Sequence, residues 1–337
     1  MKILIIHTAF IGDIVLSTPL IKKLKERYPD SSITYVTTPL GATILRNNPN
    51  LAEIIEYDKR GEHKGLKGLL LLGKRLKYKN FDMIITPHRY LRSSVLTWLT
   101  GAPDRVGYDN ATGKLFFNKK VHYDKNKHEV EKLLSFVEDN HYKYYGIELF
   151  PGKSEKTRID EIWSENHLEN KKIVALAPGS KWFTKQWPLE YFNNVIEELS
   201  KREDTAIVLI GGREELLLNI KETDKTVNLI GKTSLLEVAE VTRRCHLILT
   251  NDSSPIHIAS AWENTHIIAI FGATVKELGF YPWSKNSQII ENSGLTCRPC
   301  GLHGGKKCPK GHFKCMLELK PEMVLEKIEE RLNKITL

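Results

Sequence analysis

The sequence predicts an α/β protein with parallel β-sheets, divided into two domains. Apolar segments typical of buried strands alternate with segments of helical periodicity, which is the pattern of βαβ units. The length of 337 residues exceeds the usual size of a single hydrophobic core. Residues 145–160 show little apolar periodicity and contain Pro151 and Gly152, which predicts irregular chain. We place the domain boundary there, giving domains 1–160 and 161–337.

The first half of the chain contains four predicted strands, most of them followed by a predicted helix. The strands are Ile3–Ile6, Ile33–Thr37, Glu53–Tyr57 and Met83–Thr86. The helices are Ile14–Tyr28, Leu91–Thr100 and His128–Asn140. Pro19 lies inside the first of these helices and predicts either a kink or a second helix start.

The second half repeats the pattern, with small and polar residues after each strand. Strands Ile173–Ala177, Ala206–Ile210 and Leu247–Thr250 lead into Pro178-Gly179-Ser180, Gly211-Gly212 and Asn251-Asp252-Ser253-Ser254-Pro255, and helices are predicted at Leu189–Lys201 and Pro255–Trp262. Pro255 is predicted at the first helical position, where backbone N–H groups can bind an anion. Lys185 adds a cation for phosphate oxygens. Each loop alone also fits ordinary turn chemistry, but three at one sheet edge favour a nucleotide-type ligand.

Asp13 is the leading candidate for the chemistry. It follows the first strand and opens a predicted helix, so its carboxylate is expected at the carboxyl end of a parallel strand, where open α/β sheets bind ligands. The alternative is a structural N-cap that accepts hydrogen bonds from backbone N–H groups.

The formal net charge of +9 favours polyanionic partners. Residues 59–79 combine basic residues and leucines at helical spacing, which indicates either an amphipathic helix that rests on an anionic surface or a solvated helix with its leucines in the core. The chain has no apolar run of the roughly 20 residues needed to span a bilayer and no signal-peptide pattern, so we expect a cytoplasmic location.

Several common motifs are absent from the sequence. It has no G-x-G-x-x-G after the first strand, no G-x-x-x-x-G-K-[ST] and no G-x-S-x-G, which disfavours dehydrogenases, P-loop enzymes and α/β-hydrolases. It also has no Asp-x-Asp pair to hold a divalent metal on a diphosphate.

Three groups of residues together resemble a known family. They are Gly12-Asp13 with Thr18-Pro19, Ala177-Pro178-Gly179-Ser180 with Lys185-Gln186-Trp187-Pro188, and Asn251 to Ala259 with Phe271-Gly272-Ala273-Thr274. Over nearly its whole length the chain resembles the family 9 glycosyltransferases, the ADP-heptose:lipopolysaccharide heptosyltransferases. The resemblance implies a GT-B architecture, with two Rossmann-like domains that face a central cleft, the acceptor on the N-terminal side and ADP-heptose on the C-terminal side.

The resemblance also implies roles for individual residues. Asp13 matches the general base that takes a proton from the acceptor hydroxyl, while L-glycero-D-manno-heptose is transferred with inversion and ADP leaves without a metal. Lys185 matches the lysine that meets the diphosphate. The remaining implied donor-binding residues are Gly12, Ser180, Thr184, Asp252, Ser253, Ser254 and His257, and a glycine is usual at the position of Ser254. Apart from the resemblance, Lys64, Arg89 and Arg92 are candidate acceptor-binding residues because they are cationic, and a surface role for the two arginines is an equal alternative.

The implied partners are ADP-heptose and the lipid A–Kdo–heptose core acceptor of lipopolysaccharide. Peripheral contact with the cytoplasmic face of the inner membrane is expected, nucleic acid is not, and catalysis requires no cofactor. Two alternatives stay open at this point. One is a family 9 transferase for another nucleotide sugar, and the other is a non-enzymatic basic protein that binds zinc or nucleic acid.

Four of the five cysteines lie close together near the C-terminus, at Cys297, Cys300, Cys308 and Cys315. In a reducing cytosol this Gly-rich arrangement predicts a structural Zn²⁺ or, equally, free thiols, with disulfides a third alternative. Cys245 precedes a buried strand and is predicted to be an inert core thiol.

Overall fold

A computed structural model describes residues 1–137 and 143–336 of the chain. Contacts divide the chain into two units, Met1–Phe150 and Pro151–Leu337. The end of the predicted helix His128–Asn140 lies outside the described residues. Within the described ranges, no helix is both long and apolar enough to cross a membrane.

The first unit alternates strands and helices. In its described residues the strands are β1 (Lys2–Ile6), β2 (Ser32–Thr37), β3 (Glu53–Glu56), β4 (Met83–Thr86), β5 (Asp104–Tyr108) and β6 (Lys119–Val121). The helices are α1 (Ile11–Leu16), α2 (Thr18–Arg27), α3 (Pro39–Leu45), α4 (Gly65–Lys77), α5 (Leu91–Leu99) and α6 (Glu129–Leu134), with a 3₁₀ turn at Lys114–Phe116. Pro19 lies in the first turn of α2, so it marks a second helix start.

The strands of the first unit form one parallel sheet in the order β3-β2-β1-β4-β5-β6. Ile3 of β1 pairs with Ile33 on one side and Met83 on the other. The chain therefore reverses its direction of winding between β1 and β4, and in open α/β sheets ligands bind at this switch point, beyond the carboxyl ends of the strands. β1 is apolar along nearly its whole length because helices cover both sheet faces.

The second unit repeats this arrangement. Its described strands are β7 (Lys172–Ala177), β8 (Thr205–Leu209), β9 (Thr226–Asn228), β10 (Leu247–Asn251), β11 (His266–Phe271) and β12 (Ser287–Glu291). Its helices are α7 (Lys153–Glu165), α8 (Leu189–Ser200), α9 (Leu235–Arg244), α10 (Ser254–Ala259), α11 (Lys314–Leu317) and α12 (Pro321–Leu332), with 3₁₀ turns at Phe183–Lys185, Arg213–Leu217 and Lys276–Leu278.

The second sheet is also parallel, in the order β12-β11-β10-β7-β8-β9, and its switch point lies between β7 and β10. Its core joins apolar side chains of the sheet to α8 and α12 and includes the fully buried Trp187 and Phe192. Two Rossmann-like units with parallel sheets are the predicted fold class, which is confirmed.

Two predictions about the chain between the sheets differ from the structure. The sequence predicts irregular chain over residues 145–160, but Lys153–Glu165 is a helix whose apolar side chains Ile159, Ile162 and Trp163 are buried. The contact division falls after Phe150, ten residues before the predicted boundary. The buried apolar residues of α7 are few and lie in its second half, so the sequence of its first half shows no helical periodicity of apolar residues.

Candidate active site

Asp13 lies at the carboxyl end of β1, as the sequence predicts, but it is not the N-cap. α1 begins at Ile11, and the half-buried Asp13 is its third residue. The carboxylate Oδ2 accepts a hydrogen bond from the backbone N–H of Phe10 at 3.2 Å. Phe10 holds the cap position and has no polar side chain. The Asp13 carboxylate, from the third residue of the helix, therefore accepts the hydrogen bond of the cap residue's backbone N–H, as in half of a capping box. Gly12, predicted to bind the donor, precedes Asp13 in the same turn.

A buried hydrogen-bond network of Tyr35, Ser17 and His7 lies close to Asp13. The Tyr35 hydroxyl lies 2.7 Å from Ser17 Oγ and 3.2 Å from His7 Nδ1. Ser17 Oγ donates to the carbonyl of Ile14 at 2.7 Å. Burial raises the pKa of Tyr35, and the negative charge of Asp13 raises it further. The phenol is therefore a neutral support for the helix that carries Asp13.

Two histidines flank the switch point of the first sheet. His7 follows β1, and His88 lies two residues after β4. Burial lowers the pKa of each to about 3, helped by the nearby Lys59. Both imidazoles are therefore neutral at pH 7. His88 Nδ1 lies 2.7 Å from Ser93 Oγ and 3.3 Å from Thr8 Oγ1.

Lys59 brings a cation to the same edge. Its Nζ donates to the carbonyl of Thr8 at 3.2 Å. Burial lowers its pKa, and the charge of Arg92 lowers it further. No sequence pattern singles out His7, Lys59 or His88 for the site, because each is a lone residue near a strand end. Their common position is visible only with the strand order.

The three candidate acceptor-binding residues have different environments. Arg92 donates from Nη2 to the carbonyls of His63 and Gly65 at 2.8 Å each, and from Nε to the Tyr57 hydroxyl, so it fixes the start of α4. The Arg89 guanidinium lies 4.1 Å from the ring centroid of Tyr123. Lys64 is exposed at the cap position of α4. Acceptor binding by these residues stays a prediction.

In the second unit, Lys185 and Asp252 form a buried ion pair. Lys185 Nζ lies 2.6 Å from Asp252 Oδ2, and the side chains are only 13% and 6% exposed. Thr274 Oγ1 donates to the same carboxylate oxygen at 2.5 Å. Lys185 comes from the segment after β7 and Asp252 directly follows β10, so the pair lies at the switch point of this sheet. Thr274 is the last residue of the motif Phe271-Gly272-Ala273-Thr274, but its contact with Asp252 was not predicted.

Asn251 ties together the two loops that carry this ion pair. Its side chain accepts from the backbone N–H of Trp187 at 3.0 Å and donates to the carbonyl of Pro178 at 2.7 Å. The side chain is fully buried, and both bonds span more than 60 residues of sequence. The position of Lys185 is thus set from the opposite side of the switch point.

His257 lies close to the ion pair on the short helix α10. Burial lowers its pKa to about 4, against the opposing charge of Asp252. Within the described ranges, its buried Nδ1 has no hydrogen-bond partner. An unpartnered nitrogen of this kind costs free energy unless a water or ligand meets it.

The helix start before His257 differs slightly from the prediction. α10 begins at Ser254, so Pro255 is its second residue. The Ser253 hydroxyl donates to the carbonyl of Asn251 at 3.3 Å and does not cap the helix. Donor binding by Ser253 and Ser254 stays a prediction.

Thr184 holds the cysteine-containing segment 297–315. Its hydroxyl accepts from the N–H of Gly305 at 2.7 Å and donates to the Gly305 carbonyl at 3.2 Å. A stacked pair of rings, Phe183 and Phe313, adds a second contact with centroids 5.0 Å apart. The contact was not predicted, and it occupies the hydroxyl that the resemblance assigns to the donor.

Segment 297–315 also brings His303 close to the ion pair. Burial lowers the pKa of His303, and the charge of Lys185 lowers it further while Asp252 raises it. Gly304 has a φ of +77°, and a Cβ atom there would lie 2.8 Å from Thr184 Oγ1. Glycine is therefore required at position 304 for the close approach of segment 297–315 to Thr184.

A cavity of about 630 Å³ opens beside Ser180 and Glu215. Its lining includes Phe313 but neither Lys185 nor Asp252. A Cβ atom on Gly179 would lie 2.3 Å from Glu215 Oε1, so the glycine lets the carboxylate of Glu215 lie against this loop. Glu215 follows Gly211-Gly212 along the chain, and no sequence pattern predicts a role for it.

The four clustered cysteines all carry free thiols in the described structure. No group of three or more His, Cys, Asp or Glu side chains in residues 1–137 and 143–336 could hold a metal ion. Cys297 Sγ lies 3.8 Å from His312 Nε2, and Cys300 Sγ donates to the carbonyl of Cys297 at 3.3 Å. Free thiols and structural zinc therefore both stay predictions. Cys245 is a buried thiol whose pKa is raised by burial, as expected for the core.

The pKa values of Cys308 and Cys315 are shifted in opposite directions. Burial raises the pKa of Cys308, but backbone N–H groups of residues 310–313 outweigh it, so the net shift is downward. Burial, with the neighbouring Cys300, raises the pKa of Cys315 to about 11.

Two Rossmann-like units with parallel sheets are the fold of the GT-B class of glycosyltransferases. The chain belongs to glycosyltransferase family 9 (heptosyltransferase), whose sequence profile matches residues 69–310. It is therefore a glycosyltransferase. Lys185, Asp252 and His257 lie within the matched segment, and Asp13 lies before it.

Individual proteins match over nearly the whole chain. Lipooligosaccharide heptosyltransferase 2 of Campylobacter jejuni is 29% identical, covering 98% of this chain and 99% of the relative. A family 9 glycosyl transferase from Veillonella parvula is similar in structure, with a TM-score of 0.86, 24% identity and coverage of 99% and 98%. The ADP-heptose LPS heptosyltransferase II of E. coli gives 0.79 and 21%, covering 99% of each chain.

Proposed function

We propose that this protein is an inverting heptosyltransferase of the heptosyltransferase II type. It transfers L-glycero-D-manno-heptose from ADP-heptose to the inner core of lipopolysaccharide. The observation that carries this proposal is the buried pair of Lys185 and Asp252 at the switch point of the second sheet. A cation held there beside a neutral histidine suits the diphosphate of a nucleotide sugar. The names of the similar proteins support heptose as the transferred sugar and ADP as its carrier.

The donor side of the reaction rests on charge. The Lys185 ammonium has three donors, of which one faces Asp252, so others can meet phosphate oxygens. Asp252 holds the lysine in place. His257 supplies a neutral imidazole close by, and its Nδ1 has no hydrogen-bond partner among the residues that the structure describes. As the bond between the anomeric carbon and the phosphate oxygen breaks, charge grows on ADP, and Lys185 stabilises it in place of a metal ion.

The acceptor side rests on Asp13. In the proposed step, the acceptor hydroxyl oxygen attacks the anomeric carbon of heptose and its proton passes to the Asp13 carboxylate. A carboxylate, although a weak base, serves here because the transition state is oxocarbenium-like and the hydroxyl loses its proton late. The hydrogen bond from Phe10 fixes the carboxylate at the end of β1, so the residue serves the helix and the reaction together.

The lipid A–Kdo–heptose core is the proposed acceptor. Its anionic groups suit Lys59 at the switch point and Arg89 after β4. Arg92 donates a hydrogen bond to the Tyr57 hydroxyl at the same edge of the sheet, so its proposed contribution is to position this part of the acceptor site. This function places the enzyme in the cytoplasm, in contact with the inner membrane that holds the acceptor lipid.

The cofactor proposal has two parts. Transfer needs no divalent metal, because Lys185 supplies the positive charge for the leaving diphosphate. Enzyme treated with a chelator is therefore expected to keep its turnover, and a full loss restored by Mg²⁺ would contradict this part. Structural zinc at the four clustered cysteines is a separate prediction, tested by elemental analysis of the purified protein.

A donor panel tests the proposed function. ADP-heptose, ADP-glucose and UDP-linked hexoses are each mixed with the enzyme and a heptose-bearing core acceptor, and nucleotide release is followed. We expect rapid ADP release from ADP-heptose only, dependent on the acceptor. Faster release from another nucleotide sugar would assign this family 9 enzyme to a different donor. No release from any donor would overturn the proposal.

A further inference from the structure

The outer face of α4 is both apolar and basic. Its inner face packs Leu69, Leu72 and Leu76 into the core of the first unit. The other three leucines of the helix, Leu66, Leu70 and Leu71, are 68%, 49% and 57% exposed. The two alternatives drawn from the sequence therefore describe the two faces of one helix.

The exposed leucines share their face with basic side chains. Residues three and four apart lie on the same side of a helix, so each successive turn of α4 adds residues to the outer face. It carries Leu66 and Lys67, then Leu70 and Leu71, then Lys74 and Arg75, with Lys64 and Lys77 at the two ends. All five basic residues are exposed, and none forms an ion pair with a carboxylate in the part of the chain that the structure describes. α4 itself contains no acidic residue.

This surface has the chemistry of a membrane-docking helix. Apolar side chains that enter the boundary between headgroups and acyl chains, flanked by lysine and arginine, favour an anionic lipid surface. A solvated helix would gain nothing from three outward leucines, and a nucleic acid would gain nothing from them either.

We propose that the outer face of α4 docks the first unit on an anionic lipid bilayer. The leucines enter the interface and the basic residues pair with lipid phosphates. The choice of a bilayer as partner rests on the lipid-linked acceptor of the proposed function. The docking itself is tested without donor or acceptor, so its failure is distinguishable from failure of that function.

Vesicle co-sedimentation of the full chain tests the proposal. Vesicles of phosphatidylethanolamine and phosphatidylglycerol are compared with vesicles of phosphatidylcholine alone. We expect binding to the anionic vesicles only, weakened by salt. The triple change Leu66→Ser, Leu70→Ser and Leu71→Ser should weaken binding by at least about tenfold, because it removes the apolar anchor.

A charge variant tests the second half of the surface. Lys67→Gln, Lys74→Gln and Arg75→Gln together should weaken binding by about fivefold for each charge removed. The matched control removes three exposed lysines of the same unit outside α4, by Lys120→Gln, Lys125→Gln and Lys127→Gln. The control for the leucines is Leu217→Ser with Met323→Ser, two exposed apolar residues of the second unit.

The outcomes separate the alternatives. Loss of binding in both α4 variants and not in the controls supports the proposal, provided that circular dichroism shows folded proteins. Failure of the unaltered protein to bind anionic vesicles would overturn it, as would equal binding by the leucine variant. Salt-dependent binding to duplex DNA through the basic residues, without binding to anionic vesicles, would assign this face to nucleic acid and would also overturn the proposal.

Discussion

Lys185 Nζ lies 2.6 Å from Asp252 Oδ2, and 67 residues of sequence separate the two side chains that form this buried pair. Each partner follows a different strand at the switch point of the second sheet. Removal of one charge from a buried pair leaves the other charge uncompensated. A substitution of either residue is therefore expected to affect both the stability of the protein and the proposed binding of the donor.

Lys185→Gln is expected to weaken ADP binding by more than about tenfold, because a charge-assisted hydrogen bond to phosphate contributes about 1.5–3 kcal/mol. Titration calorimetry with ADP measures the change. Lys201→Gln is the matched control, since Lys201 lies in the same unit, is well exposed and pairs only with Glu198 in the described part of the chain. An unchanged dissociation constant in the Lys185 variant would remove this residue from the donor site.

Gly304→Ala is expected to destabilise the protein by about 1–3 kcal/mol, because the new side chain meets Thr184 in a left-handed backbone conformation. Urea unfolding followed by fluorescence measures the loss. Gly294→Ala is the control, because its nearest contact would be Asn292 at 3.5 Å. If both variants were equally stable, segment 297–315 would not be held against Thr184 as described.

The buried histidines predict a loss of stability on acidification. The pKa of His257 is about 4, and the pKa values of His7 and His88 are about 3 in the folded protein, against an ordinary value near 6.5. Below about pH 6.5 the unfolded chain takes up protons that the folded protein does not, so stability falls as the pH decreases toward 4.

Each of these histidines contributes a slope of about 1.4 kcal/mol per pH unit in that window. Urea unfolding at a series of pH values measures the slope, and His257→Gln should reduce it. His122→Gln is the control because His122 is exposed on the surface. A free energy of unfolding that stays constant from pH 7 to pH 5 would show that the three imidazoles are not buried in neutral form.

Timed alkylation should distinguish the cysteines. Cys308 is expected to react first with iodoacetamide, because backbone N–H groups lower its pKa, and Cys245 is expected to stay unreacted until the protein unfolds. Mass spectrometry of the digested protein gives the order. Common protection of Cys308 with the other three clustered cysteines, released by a chelator, would favour the zinc prediction over free thiols.

Much of the fold could be predicted from the sequence because buried parallel strands are continuous apolar runs with polar loops behind them. The strands at both switch points and the loops with Ser180 and Asp252 were predicted close to their observed positions, and a helix start at Pro19 was one of two predicted alternatives. The prediction did not include strands β5, β6, β9, β11 and β12 or helices α3, α7 and α9. Of these, β9 and α7 have few apolar positions, whereas β11 is an apolar strand that the sequence reading passed over.

The contacts inside the site could not be predicted, because they join distant parts of the chain. The bonds of Thr184 to Gly305 span 121 residues, and no local pattern indicates them. The place of Asp13 was predicted, but its helical position was not. With Phe10 at the cap, the carboxylate had to reach back from the third residue.

The most direct test of the central claim, that Asp13 is the base in heptosyl transfer, is a single-turnover assay of Asp13→Asn. Asparagine keeps an oxygen that can accept the hydrogen bond from Phe10, so the helix start is retained while the base is lost. With ADP-heptose and the heptose-bearing core acceptor, transfer should slow by roughly 10²–10⁴-fold, with ADP affinity unchanged. A transfer rate close to that of the unaltered enzyme would contradict the assignment and leave Asp13 as a helix-capping residue.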